Sequence, residues 1–128
     1  MFTTKIIPRF KDTDLLGHIN NASIVTWFEE ARRPIFVLCN PKLDTHDWNL
    51  ILRKLDVDFL AEGRWQDEVT IETKVGHVGT TSFKLKHEAK QNNKIIATSE
   101  EVLVFFNYSK RQKEALPTDI KNKLESHQ

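Results

Sequence analysis

The feature that most restricts the architecture is a change of hydrophobic period partway along the chain. Between Ala22 and about Cys39 the apolar residues Ile24, Trp27, Phe28, Ala31, Ile35 and Leu38 fall at offsets 0, 3, 4, 7, 11 and 14, the stripe of an amphipathic helix. Val25, Phe36 and Val37 widen that stripe, which predicts a helix buried on more than one side. After the loop Asn40 to Asp47 the period becomes two and stays there. Leu55, Val57 and Phe59 alternate with Lys54, Asp56 and Asp58; Val69, Ile71, Thr73 and Val75 alternate with Glu68, Thr70, Glu72 and Lys74; Phe83, Leu85, His87 and Ala89 alternate with Ser82, Lys84, Lys86 and Glu88. Each segment has one dry face and one wet face, the mark of an antiparallel sheet covered on one side. A helix with so wide an apolar arc is buried only if the sheet wraps it, so the expected class is α+β.

The flanking segments complete that outline. Phe2 to Phe10 alternates loosely and carries Pro8, as an edge strand tolerates. Lys11 to Asn21 is polar and turn-rich and ends in two asparagines suited to capping a helix start. Pro34 lacks the N–H that would bond the Glu30 carbonyl, which predicts a kink, or a helix that ends near Arg33 and restarts. Glu29 and Arg33 are spaced for an ion pair on a solvated face, and Glu29 lining a pocket is the alternative. Turn signals stand at Glu62-Gly63, Gly76 to Gly79 and Asn92-Asn93. The last strand, Lys94 to Asn107, finishes as VLVFF and needs cover on both faces, for which a partner chain is one source. The tail from Pro117 to Glu125 reads as a short helix.

Composition narrows the function. The 128 residues suit a single domain, 1–128, and 19 basic against 18 acidic residues leave a formal charge of +1. That balance builds no sustained positive field, so neither nucleic acid nor an anionic membrane is an expected partner. The single cysteine, Cys39, excludes an internal disulfide and a cysteine-rich zinc site, and within IFVLC it reads as a small buried apolar residue. His46, His77, His87 and His127 lack metal-ligand spacing, so no metal is assigned. The longest apolar run, Val102 to Phe106, falls far short of the ~20 residues of a membrane helix, and the N-terminus meets charge and proline early; a cytoplasmic location is expected. Serine-hydrolase elbows, phosphate loops and dinucleotide fingerprints are missing.

The chemistry concentrates in Asp12-Thr13-Asp14-Leu15-Leu16-Gly17-His18-Ile19-Asn20-Asn21, directly before the buried helix. Unpaired N–H groups at a helix start, with the positive end of its dipole, suit a developing oxyanion, and a nearby carboxylate suits a general base or nucleophile. The same residue types also form tight turns and helix caps, so from the residues alone both readings stand.

The string DTDLLGHINN followed by WFEEAR resembles the D-x-D-x-x-G-H-x-N-N … E-x-A-R signature of the 4-hydroxybenzoyl-CoA thioesterase-like branch of the hotdog superfamily. The resemblance implies a hotdog fold: an antiparallel five- to six-stranded sheet wrapped around one long central helix. It further implies a homodimer or homotetramer in which two sheets become continuous, with an acyl-thioester site at the dimer interface. The implied reaction is hydrolysis of an acyl-CoA to the free acid and coenzyme A, with no cofactor, since coenzyme A is part of the substrate. Asp14 matches the catalytic carboxylate, as general base or nucleophile, and the amides of Gly17 and His18 match the oxyanion donors. Asn20 and Asn21 read as caps, with Asn21 also positioning the loop or a water, while Asp12 orders the loop. Thr81 and Ser82 fall where similar proteins run a strand beside the thioester groove. Ile24 stands where many relatives carry a tyrosine, so any substrate contact of that phenol is missing. Arg64, Lys84, Lys86 and Lys110 are either ligands for coenzyme A phosphates or solvated charges. An acyl-carrier-protein thioesterase, a non-catalytic acyl-CoA-binding protein and a hotdog hydratase are the alternatives.

Overall fold

The computed structural model describes residues 1–128. The strands are β1 (Phe2–Ile6), β2 (Leu50–Phe59), β3 (Val69–Val78), β4 (Ser82–Gln91), β5 (Lys94–Asn107) and β6 (Gln112–Lys113); the helices are α1 (Asn21–Ala31), α2 (Arg33–Cys39) and α3 (Thr118–Glu125). All strand pairs are antiparallel, in the order β1-β3-β4-β5-β2, with β6 on β5. β1 and β2 are therefore the two edges. The edge position of β1 agrees with its early proline, although the strand stops at Ile6, before Pro8.

Register explains how period-two sequence becomes a core. Ile71, Ala89, Ala97 and Phe59 stand in one row across four strands, Thr73, His87, Ser99 and Val57 in the next, and Val75, Leu85, Glu101 and Leu55 in the third. The helical segment covers these rows in two pieces. Ile24, Trp27, Phe28 and Ala31 of α1 pack with Val69, Ile71, Ala89 and Ala97, whereas Ile35 and Cys39 of α2 pack with Val75, Leu85, Leu103 and Leu124.

The expected interruption before Pro34 is present at Arg32, whose carbonyl accepts hydrogen bonds from the amides of Ile35 and Phe36. The break shifts the helical phase, and the Glu29–Arg33 ion pair does not form: both side chains are exposed. Arg32 turns inward instead. Its Nε and Nη2 donate to Oε2 and Oε1 of Glu101 at 2.7 and 3.0 Å, with both residues buried. His87 Nε2 lies 3.4 Å from the same carboxylate, Thr73 Oγ1 is 2.8 Å from His87 Nδ1, and Phe28 stacks on the His87 ring at 5.4 Å.

The chain covers one face of β5 fully and the other in part, with Val102 and Phe106 half-buried. Leu103 and Phe105 lie in the core with α2 and α3, while Val104, on the other face, is 7 % exposed. At the C-terminus Leu124 is fully buried, and the Val75 amide donates to the His127 carbonyl at 3.1 Å, which seats α3 against β3.

Candidate active site

The loop before α1 is built from its own polar groups. Asp12 is buried; its Oδ2 accepts from the Arg9 amide at 2.7 Å and its carbonyl from the Asn20 amide at 2.6 Å, the loop-ordering role expected of it. These bonds bring the two ends of the loop together. Between them the Asp14 amide donates to the His18 carbonyl at 2.8 Å and the Gly17 amide to the Asp14 carbonyl at 3.2 Å. Gly17 closes this turn at φ +79°, a left-handed conformation that a residue without Cβ adopts freely. Gly63 lets the neighbouring segment lie flush on the loop, since a Cβ there would stand 2.9 Å from the Ile19 side chain.

The turn fixes the orientation of one carboxylate. Asp14 Oδ1 accepts from the amides of Leu16 at 2.8 Å and His18 at 3.1 Å, while Oδ2 makes no hydrogen bond within the chain. At the helix start, Asn20 Oδ1 accepts from the Ala22 amide at 2.8 Å, and the Asn20 carbonyl accepts from the amides of Ser23 and Ile24. The Asn21 amide has no acceptor in the chain. Asp14 and Asn21 both line a crevice of about 330 Å³, walled by His18, Ile24, Phe59 and Leu60 among others. A wider depression beside it shares His18 and Leu60 and adds Arg64, Gln66 and Lys94. Two residues lining the crevice thus each keep one unpaired polar group, Asp14 its Oδ2 and Asn21 its backbone N–H, group types suited to carbonyl addition.

The candidate residues are distributed unevenly about this crevice. Asp14, His18, Asn21 and Ile24 line it. Asn20 caps the helix beside it. The amides of Gly17 and His18 are engaged by Asp14 itself, so the unpaired N–H lies three residues beyond His18, on Asn21. The His18 ring is held at 3.2 Å from Glu62 Oε2. Thr81 and Ser82 stand apart, in a pocket beside Ile51 and Leu52 at the start of β2, whereas the crevice takes its wall from the end of that strand. Of the proposed phosphate ligands, Lys84 is tied to Glu100 at 2.8 Å and Arg64 stands 3.7 Å from Asp67.

Sequence reasoning missed the crevice wall at Phe59 to Glu62 and the buried Arg32–Glu101–His87 group. The signal for Glu101 was available: it shares the inward parity of Leu103 and Phe105 in a strand apolar on both faces. Burial pushes the Glu101 carboxyl up, but hydrogen bonds from His87 and Arg32 and their charges outweigh it and hold the group below the ordinary carboxylate value. Cys39 is the inert apolar residue expected, with its thiol pushed up to about 12 by burial.

Comparison with known proteins places this geometry in a family. The model of the thioesterase-like superfamily matches residues 8–124. A predicted thioesterase from Bacillus stearothermophilus superposes with a TM-score of 0.96 at 36% identity, over 98% of this chain and 95% of that one. A thioesterase from Thermus thermophilus, solved with coenzyme A and Zn, superposes with a TM-score of 0.86 at 26% identity, over 95% of each chain. The uncharacterized protein YsmA of Bacillus subtilis (strain 168) is 29% identical over 86 residues, covering 67% of this chain and 58% of that protein, so the match spans less than two thirds of the relative's length. The curled antiparallel sheet with its helix is the hotdog fold of these neighbours, and the chain belongs to the thioesterase-like superfamily.

Proposed function

We propose that this protein hydrolyses an acyl-CoA thioester to the free acid and coenzyme A, as a cytoplasmic homodimer or homotetramer that needs no cofactor. The observation that carries the reading is that Asp14, whose Oδ2 has no partner, and Asn21, whose N–H has none, line the same crevice. Coenzyme A bound to the Thermus thermophilus relative supports the carrier, and the matched superfamily supports the bond cleaved.

In this reading the thioester carbonyl accepts from the Asn21 amide, where the start of an eleven-residue helix favours negative charge. Asp14 then either takes a proton from the attacking water or attacks the carbonyl itself, giving a mixed anhydride that water opens. The leaving thiol, with a pKa near ~8.5, departs as thiolate with little protonation, so one carboxylate and one oxyanion donor suffice. Gly17 and His18 act by holding the carboxylate: the first shapes the turn and the second donates its amide to Oδ1. Asn20 and Asn21 set the helix start, and Ile24 forms the apolar wall against the acyl group.

The test is release of free thiol, followed with a thiol reagent, from a panel of acyl-CoA esters and from the same acyl groups on acyl carrier protein. Release from the coenzyme A series is expected. Release from the carrier protein alone would move the substrate to that carrier, and tight binding without release would make this an acyl-CoA-binding protein.

A further inference from the structure

The loop between β2 and β3 brings to the crevice an ionisable pair, Glu62 and the His18 ring, that expulsion of the thiol does not use. Loop and turn are joined by main-chain pairing: His18 bridges to Arg64, and the Ile19 amide donates to the Gly63 carbonyl at 3.1 Å. Glu62, one residue before Gly63, stands beside His18, with its Oε2 3.2 Å from Nε2 of the ring. Both residues line the crevice together with Asp14 and Asn21, and both also line the depression next to it. A ring nitrogen this close to a carboxylate oxygen carries the proton, since two facing lone pairs would repel. The other nitrogen, Nδ1, is then the basic one, and it has no hydrogen-bond partner in the chain. The His18 amide is 3.1 Å from Asp14 Oδ1, so the covalent reach of the side chain keeps Nδ1 within about 8 Å of that oxygen, a gap that one or two waters bridge.

The anhydride route of Asp14 needs such a base. One carboxylate and one oxyanion donor expel the thiol, but they do not complete the hydrolysis. Oδ1 is anchored by two amides and Oδ2 becomes acylated, so Asp14 keeps no free oxygen with which to activate water. We infer that Asp14 is the nucleophile and that the His18 ring, oriented by Glu62, is the base that admits water to the resulting anhydride. The inference rests on the acyl-CoA reading above.

In the first half of the reaction Asp14 Oδ2 bonds to the thioester carbonyl carbon, and the C–S bond breaks with its electron pair leaving on sulfur. In the second half His18 Nδ1 takes a proton from water as the water oxygen bonds to the acyl carbon. The bond from that carbon to Oδ2 then breaks, its pair returns to the Asp14 carboxylate, and the imidazolium gives its proton to the thiolate or to solvent. An imidazole suits this part because it takes and returns a proton near neutral pH. Two bases lining one crevice, each with one free atom, thus serve two successive steps. His18 is a catalytic residue in this scheme, whereas Glu62 is a positioning residue that acts through the ring.

Stopped-flow and steady-state thiol release by the full-length protein test this, with the acyl-CoA that the wild type turns over fastest. Burial of Cys39 keeps its own thiol out of the signal. His18→Asn retains the backbone amide that holds Asp14 and is expected to release about one thiol per chain in a fast burst, then to turn over roughly 10²-fold more slowly than wild type. kcat and KM should fall together while kcat/KM, which reports only the first half, holds. Glu62→Gln should show the same pattern at roughly tenfold, because its side chain is 74% exposed and orients the ring less strictly than a buried carboxylate would. Should His18→Asn fail to fold, Glu62→Gln, changed at an exposed position, decides alone. Asp14→Asn should give no burst. A loss of kcat/KM as large as the loss of kcat, or unchanged turnover in both variants, overturns the inference and leaves the hydrolytic reading standing. A wild-type protein that releases no thiol from any acyl-CoA removes that reading and the inference with it.

Discussion

Replacing Asp14 by asparagine separates its chemical role from its structural one. The carboxylate is anchored through Oδ1, which accepts from the Leu16 and His18 amides, and is free at Oδ2. An asparagine carbonyl can occupy the Oδ1 position and keep both bonds, so the loop should cost about 1 kcal/mol or less. The amide nitrogen then stands where Oδ2 was and can neither accept a proton nor attack. Loss of a positioned base costs roughly 10²- to 10⁴-fold in rate, or about 3–5.5 kcal/mol of transition-state stabilisation. Asp14→Ala removes the same chemistry and both acceptors, so it should be equally slow and melt measurably lower. The assay pairs steady-state thiol release with thermal melting for the three proteins. A folded Asp14→Asn protein with near-wild-type turnover refutes the catalytic assignment; an Asp14→Asn protein that melts as low as Asp14→Ala refutes the loop argument.

Other expectations follow from the buried groups and the turn. Glu101→Ala strands the Arg32 guanidinium in the core and should cost about 3–5 kcal/mol, whereas Arg32→Met/Glu101→Leu should cost much less; denaturant unfolding of both decides it, and equal losses would show that the charge is not the cause. The folded-state pKa of Glu101 is depressed below 4.5, so its contribution is present above that pH and is lost as pH falls through the depressed value; a Glu101→Gln protein with an unchanged acid-unfolding profile would contradict this. Cys39 should react with a thiol reagent only as fast as the protein opens, and rapid labelling of the native state would disprove its burial. Gly17→Ala has open space for the methyl group but keeps φ at +79°, so a loss of about 1 kcal/mol is expected from the backbone alone; an unchanged melting temperature would show that the turn relaxes.

How much of this was legible in the chain depended on whether neighbours in sequence are also neighbours in space. Helix periodicity and its stop at Pro34 are local, and both appear as α1, the break at Arg32 and α2. The last strand was bounded at Lys94 and Asn107 because its edges are set by turn residues beside it. The alternation of β2 is legible only from Lys54, since the bulge after Leu52 breaks the pattern its first half would have shown. The Glu29–Arg33 pair was misjudged because the phase shift at the break depends on the same proline that ended the helix.

The polar turn and cap before the buried helix and the wrapped-sheet class were determined by sequence alone, because a turn, a cap and an amphipathic stripe are encoded within a few residues of one another. Which amide stays free at the helix start, which arginine turns inward and where Thr81 and Ser82 lie relative to Asp14 were decided only by the tertiary structure. Hydrogen bonds to Asp14 consume the Gly17 and His18 amides, a carboxylate sixty-nine residues away claims Arg32, and a ten-residue strand separates the hydroxyls from the acid. Each outcome is a competition between distant groups for one partner or one place, and no pattern of neighbouring residues records who wins it.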